Sequence, residues 1–535
     1  MFNHLLKNNK LAYLSFLITS AISLNTASNE PILVSNINNT GIERFGVELS
    51  DQYIVFNEFD QGGVLNRFSR NLNNPDPLIT LRTGLSSIED TFVFDFDDSL
   101  ILSIDEANGG LSRSSFDGQS ISLLSAPNNE TPISFSGLLS DTDFEVFLTS
   151  DRNLYSIKNN DMGSAILLSS GYEVDRFRVT RDRQTVLFSA EIFPNNQIIF
   201  SIPIDGSSEA TQIHVLPENS DVDGTMIVSI DSSRVIYIVE TFLENSVESL
   251  QLYSTPIDGS SPPSALGDSV TGTASDIDFE LSDDGTFVAF LLEESVFGSF
   301  GALDRLFTAP IDGSASITTI ATFQNIINFD ITNDSQTILY SEEDRNQDGF
   351  FVSRLFSAPF DDSAPHVSIV PSNNAEFSIG SRDFQASDNS EFVFYSAWNL
   401  STFETKLFRS NADGSGNSIQ VSANSPIVSN SEVQQFEVDS INSRIIYSTG
   451  NSGGFSNELF SVNFDGTGFS TLASANALID EIDLSRSRNF VSYTTSSLPG
   501  DFQQSALYVL DISIPSEELC FPIKAQNGNF VTICF

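Results

Sequence analysis

The chain has 535 residues, 71 acidic against 24 basic, giving a formal net charge of −47. Only 18% of residues are charged, so the imbalance comes from scarce bases, and so negative a surface argues against nucleic-acid binding and electrostatic membrane docking. The 40% hydrophobic content, with 46 Phe, argues against disorder.

Residues 1–27 read as a secretory signal. Lys7 and Lys10 form a positive start, Leu11 to Leu24 an apolar stretch, and Thr26, Ala27 and Ser28 supply the small residues of a cleavage site. The apolar stretch is shorter than the roughly 20 residues that span a bilayer. Export to a periplasmic or extracellular location follows as an expectation, with no membrane span after cleavage.

From residue 28 to 512 one unit recurs. LYSTPIDG from Leu252, LFTAPIDG from Leu306, LFSAPFDD from Leu355 and LFSVNFDG from Leu459 are its clearest copies. Weaker copies start at Ile199, Leu407, Leu111 and Leu154, and degenerate ones at Leu65 and Leu507. The ten starts run from 65 to 507, about 49 residues apart. A second phrase precedes them, as in FELSDDGTFVAF from Phe279, FDITNDSQTILY from Phe329, FRVTRDRQTVLF from Phe177 and FEVDSINSRIIY from Phe436. It reads as an alternating strand, a polar turn and a β-branched or aromatic strand. A third apolar element follows the Asp-Gly turn, so each repeat carries three or four short antiparallel strands, and no amphipathic helix is evident between residues 30 and 512.

Repeats of this length and content predict an all-β fold, a β-propeller of about ten four-stranded blades. A single ring is favoured over two smaller rings. The last repeat stops at Leu507–Leu510 without a trailing strand, and PILVS from Pro31 has no repeat before it. Pairing the two would close the last blade and remove an exposed edge.

The phrases FELSDDGTFVAF and LYSTPIDGS resemble the TolB-type propeller repeat over roughly residues 43–512. The resemblance is strong in the middle repeats and weak in the first three. The usual Pro of the Ser-Pro-Asp-Gly turn is absent, and so is any sign of the extra N-terminal domain of TolB itself. The resemblance implies a fold and a cell-envelope location; it does not transfer a function.

Residues 513–535 form a separate C-terminal piece. Within CFPIKAQNGNFVTIC, a loop at Gln526-Asn527-Gly528 makes Ala525 face Asn529. Counting back, Cys520 faces Cys534 at a non-hydrogen-bonded pair, where side chains come closest. A disulfide-linked hairpin is the expectation.

Candidates for chemistry are few. His4 leaves with the signal; His214 and His366 follow the Asp-Gly phrases of their repeats on the third strand and read as structural or exposed. Gly450-Asn451-Ser452-Gly453-Gly454 matches a nucleophile elbow in letters only, since no His follows His366. Asp344, Asn346, Asp348 and the carbonyl of Phe350 have the spacing of the start of a calcium loop, but position twelve is Leu355 and not Glu. A solvated acidic turn is favoured there, with calcium the alternative. No cofactor is required, no catalytic set stands out, and the Asp-Gly pairs read as hairpin turns. The function expected is an exported, non-catalytic scaffold binding a protein, peptide or envelope component. The alternative is a carboxylate-based hydrolase or lyase acting on a polysaccharide or peptide in the central channel.

Overall fold

The turn inside FELSDDGTFVAF sets the local structure. Ser282 Oγ donates to Asp284 Oδ1 at 2.7 Å, and Thr286 N–H donates to the same oxygen at 2.9 Å. Gly285 takes φ +71°, the left-handed position at which glycine carries no Cβ penalty. Other repeats place Ser232, Ser335 and Ser390 there, with φ of 57–58°. Each hydroxyl has a use: it accepts the backbone N–H of the Asp in the preceding repeat's turn, Asp182, Asp284 and Asp334 respectively, at 2.8–3.0 Å. A serine thus accepts an unfavourable backbone to hydrogen-bond its neighbouring sheet.

The computed structural model describes residues 31–513, apart from 36–40, 50–51, 60–63, 73–77, 86–91, 95–99, 106–109, 119–120, 126, 128–129, 137–143, 159–164, 193–195, 243–247, 272–275, 294–302, 324, 346–350, 370–376, 403, 423–431, 451–456, 476–477 and 497–505; it also describes 521–524 and 530–533. Those residues are all-β, with no α-helix among them. The repeating form is seen in residues 276–323: strands Asp276–Leu281, Phe287–Glu293, Asp304–Pro310 and Thr318–Phe323 pair antiparallel in chain order. This four-stranded meander is the blade of a β-propeller. It recurs at 41–85, 92–125, 132–167, 326–368, 377–420 and 432–475. All ten Leu/Ile phrase starts lie in the third strand of their meander.

Where ten separate blades are expected, nine sheets of four or more strands are found among the described residues. Residues 173–271 form one eight-stranded sheet because Asn196, at the start of the third strand of its first half, pairs in parallel with Ser220, which opens the second half. Gln197 reinforces the join: its carbonyl accepts Leu216 N–H at 3.0 Å and its Oε1 accepts Val222 N–H at 3.0 Å.

The chain divides into two compact units, residues 1–78 with 434–463 and 468–535, and residues 79–433 with 464–467. In the first, Ile32–Leu33 is the fourth strand of the sheet formed by Leu478–Leu484, Phe490–Ser496 and Ala506–Asp511, with Ile32 opposite Val509 and Leu33 opposite Tyr508. The expected closure of the last blade by the PILVS segment is therefore present. Arg70 Nη1 caps the strand, donating to the Leu33 and Val34 carbonyls at 2.7 and 2.9 Å. Val34, Ile54, Phe56, Phe68, Leu507 and Val509 bury together beneath it.

Also in the first unit, Arg444 meets the fully buried Asp439 at 2.7 Å and donates to the carbonyls of Ile512 and Arg488 at 2.8 and 3.0 Å. The C-terminal strands Phe521–Lys524 and Phe530–Ile533 pair with Phe521 opposite Ile533 and Lys524 opposite Phe530. That is the expected hairpin register; Cys520, Cys534 and the turn itself lie outside the described residues.

In the second unit each interior is built between successive sheets. Ile236, Leu252, Ile277, Val288 and Phe307 pack in one cluster, and Ala289, Leu306, Ile326, Ile338 and Tyr340 in the next. Each central strand thus feeds both of its faces into a core, which is why second strands read as nearly continuous apolar runs.

Candidate functional site

The first strand of each separate four-stranded meander is one of its two edge strands, and its side chains alternate. Phe177, Phe279 and Phe329 pack toward the core. The next residue in the chain points the other way and carries most of the chemistry: Arg178, Glu280 and Asp330, then Gln385, Glu437 and Asp483 in later repeats.

Three of these side chains, Arg178, Glu280 and Asp330, bond the first strand that follows. Arg178 Nε donates to the Met226 carbonyl at 3.2 Å. Glu280 accepts the backbone N–H of Ile331, and Asp330 accepts that of Ala386. An open strand edge leaves N–H and C=O groups in need of partners, and one repeated position supplies them with either sign of charge.

Burial pushes the Glu280 carboxyl up to about 7, helped by the charge of Asp330 and opposed by the Ile331 N–H. Burial likewise pushes Asp330 up to about 6, against hydrogen bonds from Ala386 and Ile331. In the first unit burial raises Glu437 to about 7, with the Asp483 charge adding and Arg488 opposing. Desolvation also raises Asp483, although it keeps more solvent contact than the other three. Groups of this kind can hold a proton near neutrality, as a general acid must. Sequence reasoning missed them as a set. The signal was present, however, as the residue after the Phe in the quoted phrases.

Among the described residues, the second unit includes two grooves near these strands and turns. One, of about 400 Å³, is lined by Ser134, Phe135, Ser136 and Leu148, by Asp175 through Val179, and by Met226. The other, of about 740 Å³, lies beside Arg234 and the turn carboxylates Asp231, Asp258 and Asp312. There Arg234 Nε is held by Ser254 Oγ at 2.8 Å.

Both histidines lie at the fourth strand of their meanders and not the third: His214 is on Thr211–Val215 and His366 immediately precedes Val367–Ser368. Each contacts a tyrosine hydroxyl through Nδ1: His214 with Tyr237 at 2.6 Å, His366 with Tyr340 at 2.8 Å. His366 also contacts Asp362 at 3.0 Å. Burial pushes His214 down to about 4, so its imidazole is neutral at ordinary pH.

The Asp-Gly pairs are turns: Gly206, Gly259, Gly313 and Gly466 all have φ of 62–81°. Hydrogen bonds from Ser207 and Ser314 hold the Asp205 and Asp312 carboxyls below their ordinary values.

Of the calcium candidates only Asp344 is described. It lies on Thr337–Arg345 opposite Val352, while Asn346, Asp348 and Phe350 fall outside the described residues. Ser452 and its loop are likewise outside. Among the described residues no group of three or more His, Cys, Asp or Glu is placed to hold a metal ion.

No family model and no curated protein matches the chain. Among solved structures, it is similar to a eukaryotic initiation factor at 9% identity and TM-score 0.45, covering 82% of this chain and 96% of that one. An oligogalacturonate lyase from Vibrio parahaemolyticus matches at 12% identity and TM-score 0.36, covering 72% and 98%. The tricorn protease matches at 11% identity and TM-score 0.33, and there the chain spans 47% of the protein it resembles. Likenesses this weak carry no argument about activity, and the propeller character rests on the sheets themselves.

Proposed function

We propose that this is an exported, non-catalytic β-propeller scaffold that binds a protein, peptide or envelope component. One observation carries the reading. Three of the charged side chains repeated along the first strands are engaged by the backbone of the first strand that follows, as Glu280 is by Ile331, Asp330 by Ala386 and Arg178 by Met226. Side chains so committed favour a rigid framework over an acid–base pair free to move protons. The eight-stranded sheet counts in this reading as two blades, giving ten TolB-like blades in one ring. Export by the N-terminal signal and a Cys520–Cys534 bridge belong to the same reading. The Asp344–Phe350 loop stands as a candidate calcium site.

Capture from the envelope fraction of the producing cell tests the scaffold. A retained partner, still bound by Glu280→Gln protein, supports it; loss of all capture by the intact, folded chain contradicts it. Equal melting curves with and without a chelator would remove calcium from the account. Reduction and alkylation would show the disulfide by mass.

A second reading has its own observation. A carboxyl near pKa 7 beside a second carboxylate, as Glu280 stands beside Asp330, is an arrangement a hydrolase or lyase uses. Loss of a measured turnover in Glu280→Gln would establish it.

A further inference from the structure

The groove of about 740 Å³ holds two opposite charges that attract through space without touching. One is Arg234, which opens strand Arg234–Phe242; the other is Asp312, in the Asp-Gly turn after strand Asp304–Pro310 of the next sheet. Burial lowers the Arg234 pKa, against the charges of Asp312 and then Asp231. Hydrogen bonds from Ser314 hold the Asp312 carboxyl below its ordinary value, and the charge of Arg234 adds to that. Among the described residues, however, no carboxylate forms an ion pair with Arg234. Its guanidinium is bonded on one side only, Nε to Ser254 Oγ at 2.8 Å and Nη2 to the Ser254 carbonyl at 3.3 Å, which leaves Nη1 without a partner in the protein. The turn fixes the opposite charge: Asp312 Oδ1 accepts the Ser314 N–H at 2.8 Å. In the sheets on either side the place of Arg234 is taken by Thr185 and Phe287, so the cation belongs to this groove and not to the repeat. Pro256, Ile257, Phe287 and Pro310 give the groove apolar walls, and Asp231 and Asp258 add negative charge to its lining.

We propose that this groove binds a small zwitterion, a carboxylate and an ammonium group on an apolar frame, with Arg234 on the carboxylate, Asp312 on the ammonium, and Pro256 and Pro310 against the frame. A guanidinium matches a carboxylate in shape and hydrogen-bonds it more strongly than a neutral donor does. Arg234 is already held by Ser254, so part of the ordering cost is met before a ligand arrives. A molecule that carries both charges enters the gap between Arg234 and Asp312 and sets each against its opposite. Having no net charge, it is neither repelled nor concentrated by a chain of net charge −47, and the two fixed charges decide what is selected. Amino acids are the common source of this chemistry, with the two charges on one carbon or at the two ends of a chain. Such binding is independent of the scaffold reading, because capture of a large partner is measured separately.

The test uses the intact protein and calorimetric or NMR titration with leucine and 6-aminohexanoate, each beside its relatives of single charge: leucinamide and N-acetylleucine for the first, hexylamine and hexanoate for the second. Binding of one zwitterion at least ten-fold tighter than both of its relatives is expected. Preference for leucine would mark charges on one carbon, and preference for 6-aminohexanoate charges at the ends of a chain. Arg234→Gln should abolish the advantage of the zwitterion over the amine, and Asp312→Asn its advantage over the acid, each with at least a ten-fold loss of zwitterion affinity. Asp205→Asn, at the same turn position in the preceding repeat and outside the groove lining, should leave binding unchanged. Melting curves establish that each variant is folded; if Arg234→Gln is not, the exposed Asp312→Asn decides. An amine bound as tightly as its zwitterion would mean that the acidic turns attract any cation, and would overturn the proposal. So would no binding of either zwitterion, or full zwitterion affinity in folded Asp312→Asn protein.

Discussion

Asp330 stands on the strand next to that of Glu280, and its negative charge is the largest electrostatic contribution, after burial, to the raised pKa of the Glu280 carboxyl. The pair links two successive sheets through the backbone and at the same time stores a proton-sensitive stability.

The sign follows from linkage. Glu280 is raised from 4.5 to about 7, Asp330 from 3.8 to about 6 and Glu437 from 4.5 to about 7. Each contributes stability that is full below its unfolded value and is lost as the pH rises through its folded value. The melting temperature should therefore fall between about pH 4 and pH 7. Glu280→Gln and Asp330→Asn should flatten that fall, raising the melting point at about pH 7 and changing little at about pH 4. After discounting for solvent screening, each group should contribute on the order of 1 kcal/mol. Repeating the scans in 1 M salt separates this from general repulsion, because buried pairs are screened less than surface charge.

Closure of the last blade depends on Arg70, which reaches the carbonyls of Leu33 and Val34. A hydrogen bond from a charged group contributes about 1.5–3 kcal/mol, so Arg70→Ala should cost about 2–3 kcal/mol in denaturant unfolding. Hydrogen exchange at Val34 should accelerate in the variant, since its N–H donates across the closure to Leu507. An unchanged exchange rate would deny Arg70 that role.

Asp439 is completely buried and its charge is met by Arg444 at 2.7 Å and by Asn442. Removing one partner of such a pair leaves an uncompensated buried charge, at a cost of about 3–5 kcal/mol. Arg444→Ala should lose that much stability, and the double variant with Asp439→Ala should lose less than the sum of the single losses. Additive losses would show that the two residues act independently.

Ser335 separates backbone strain from hydrogen bonding. It holds φ 57° and accepts the N–H of Asp284. Ser335→Ala keeps the strained backbone and loses the acceptor, so a loss of about 1–2 kcal/mol is expected. Ser335→Gly loses the same acceptor but relieves the strain, and should fall within about 0.5 kcal/mol of the parent. Equal losses in both variants would rule out this division.

His214 gives a spectroscopic check on the packing. With three histidines in the whole sequence, labelled-histidine NMR can follow each one. The His214 resonance should titrate near pH 4, because burial against Tyr237 and Tyr253 disfavours the charged ring. A midpoint near 6.5 would mean that the ring is solvated.

Much of the fold was legible in the chain because it is written in local terms. The Leu/Ile phrases mark third strands, the Asp-Gly pairs mark turns with Gly at positive φ, and Pro31 to Ser35 was recognisable as the missing strand of the last sheet. The hairpin register around Asn527 followed from turn length alone. What escaped depends on partners far apart in sequence. Nothing local shows that Asn196 will pair with Ser220 and merge two meanders. Arg234 and Arg444 occupy the same place in their repeats, yet one bonds Ser254 in its own sheet and the other the carbonyls of Ile512 and Arg488. The first-strand acids were hidden for a related reason: alternation shows that Glu280 faces away from the core, but not that Ile331 and Asp330 will lie against it.

The account stands or falls on whether these first-strand charges build a framework or perform chemistry. The direct measurement is product release from panels of neutral and acidic polysaccharides and of peptides, by the intact protein and by the Glu280→Gln/Asp330→Asn double variant, from pH 5 to 8. No product above the blank from either protein is predicted. Turnover by the parent that rises near pH 6–7 and disappears in the folded double variant would contradict the scaffold and establish an enzyme.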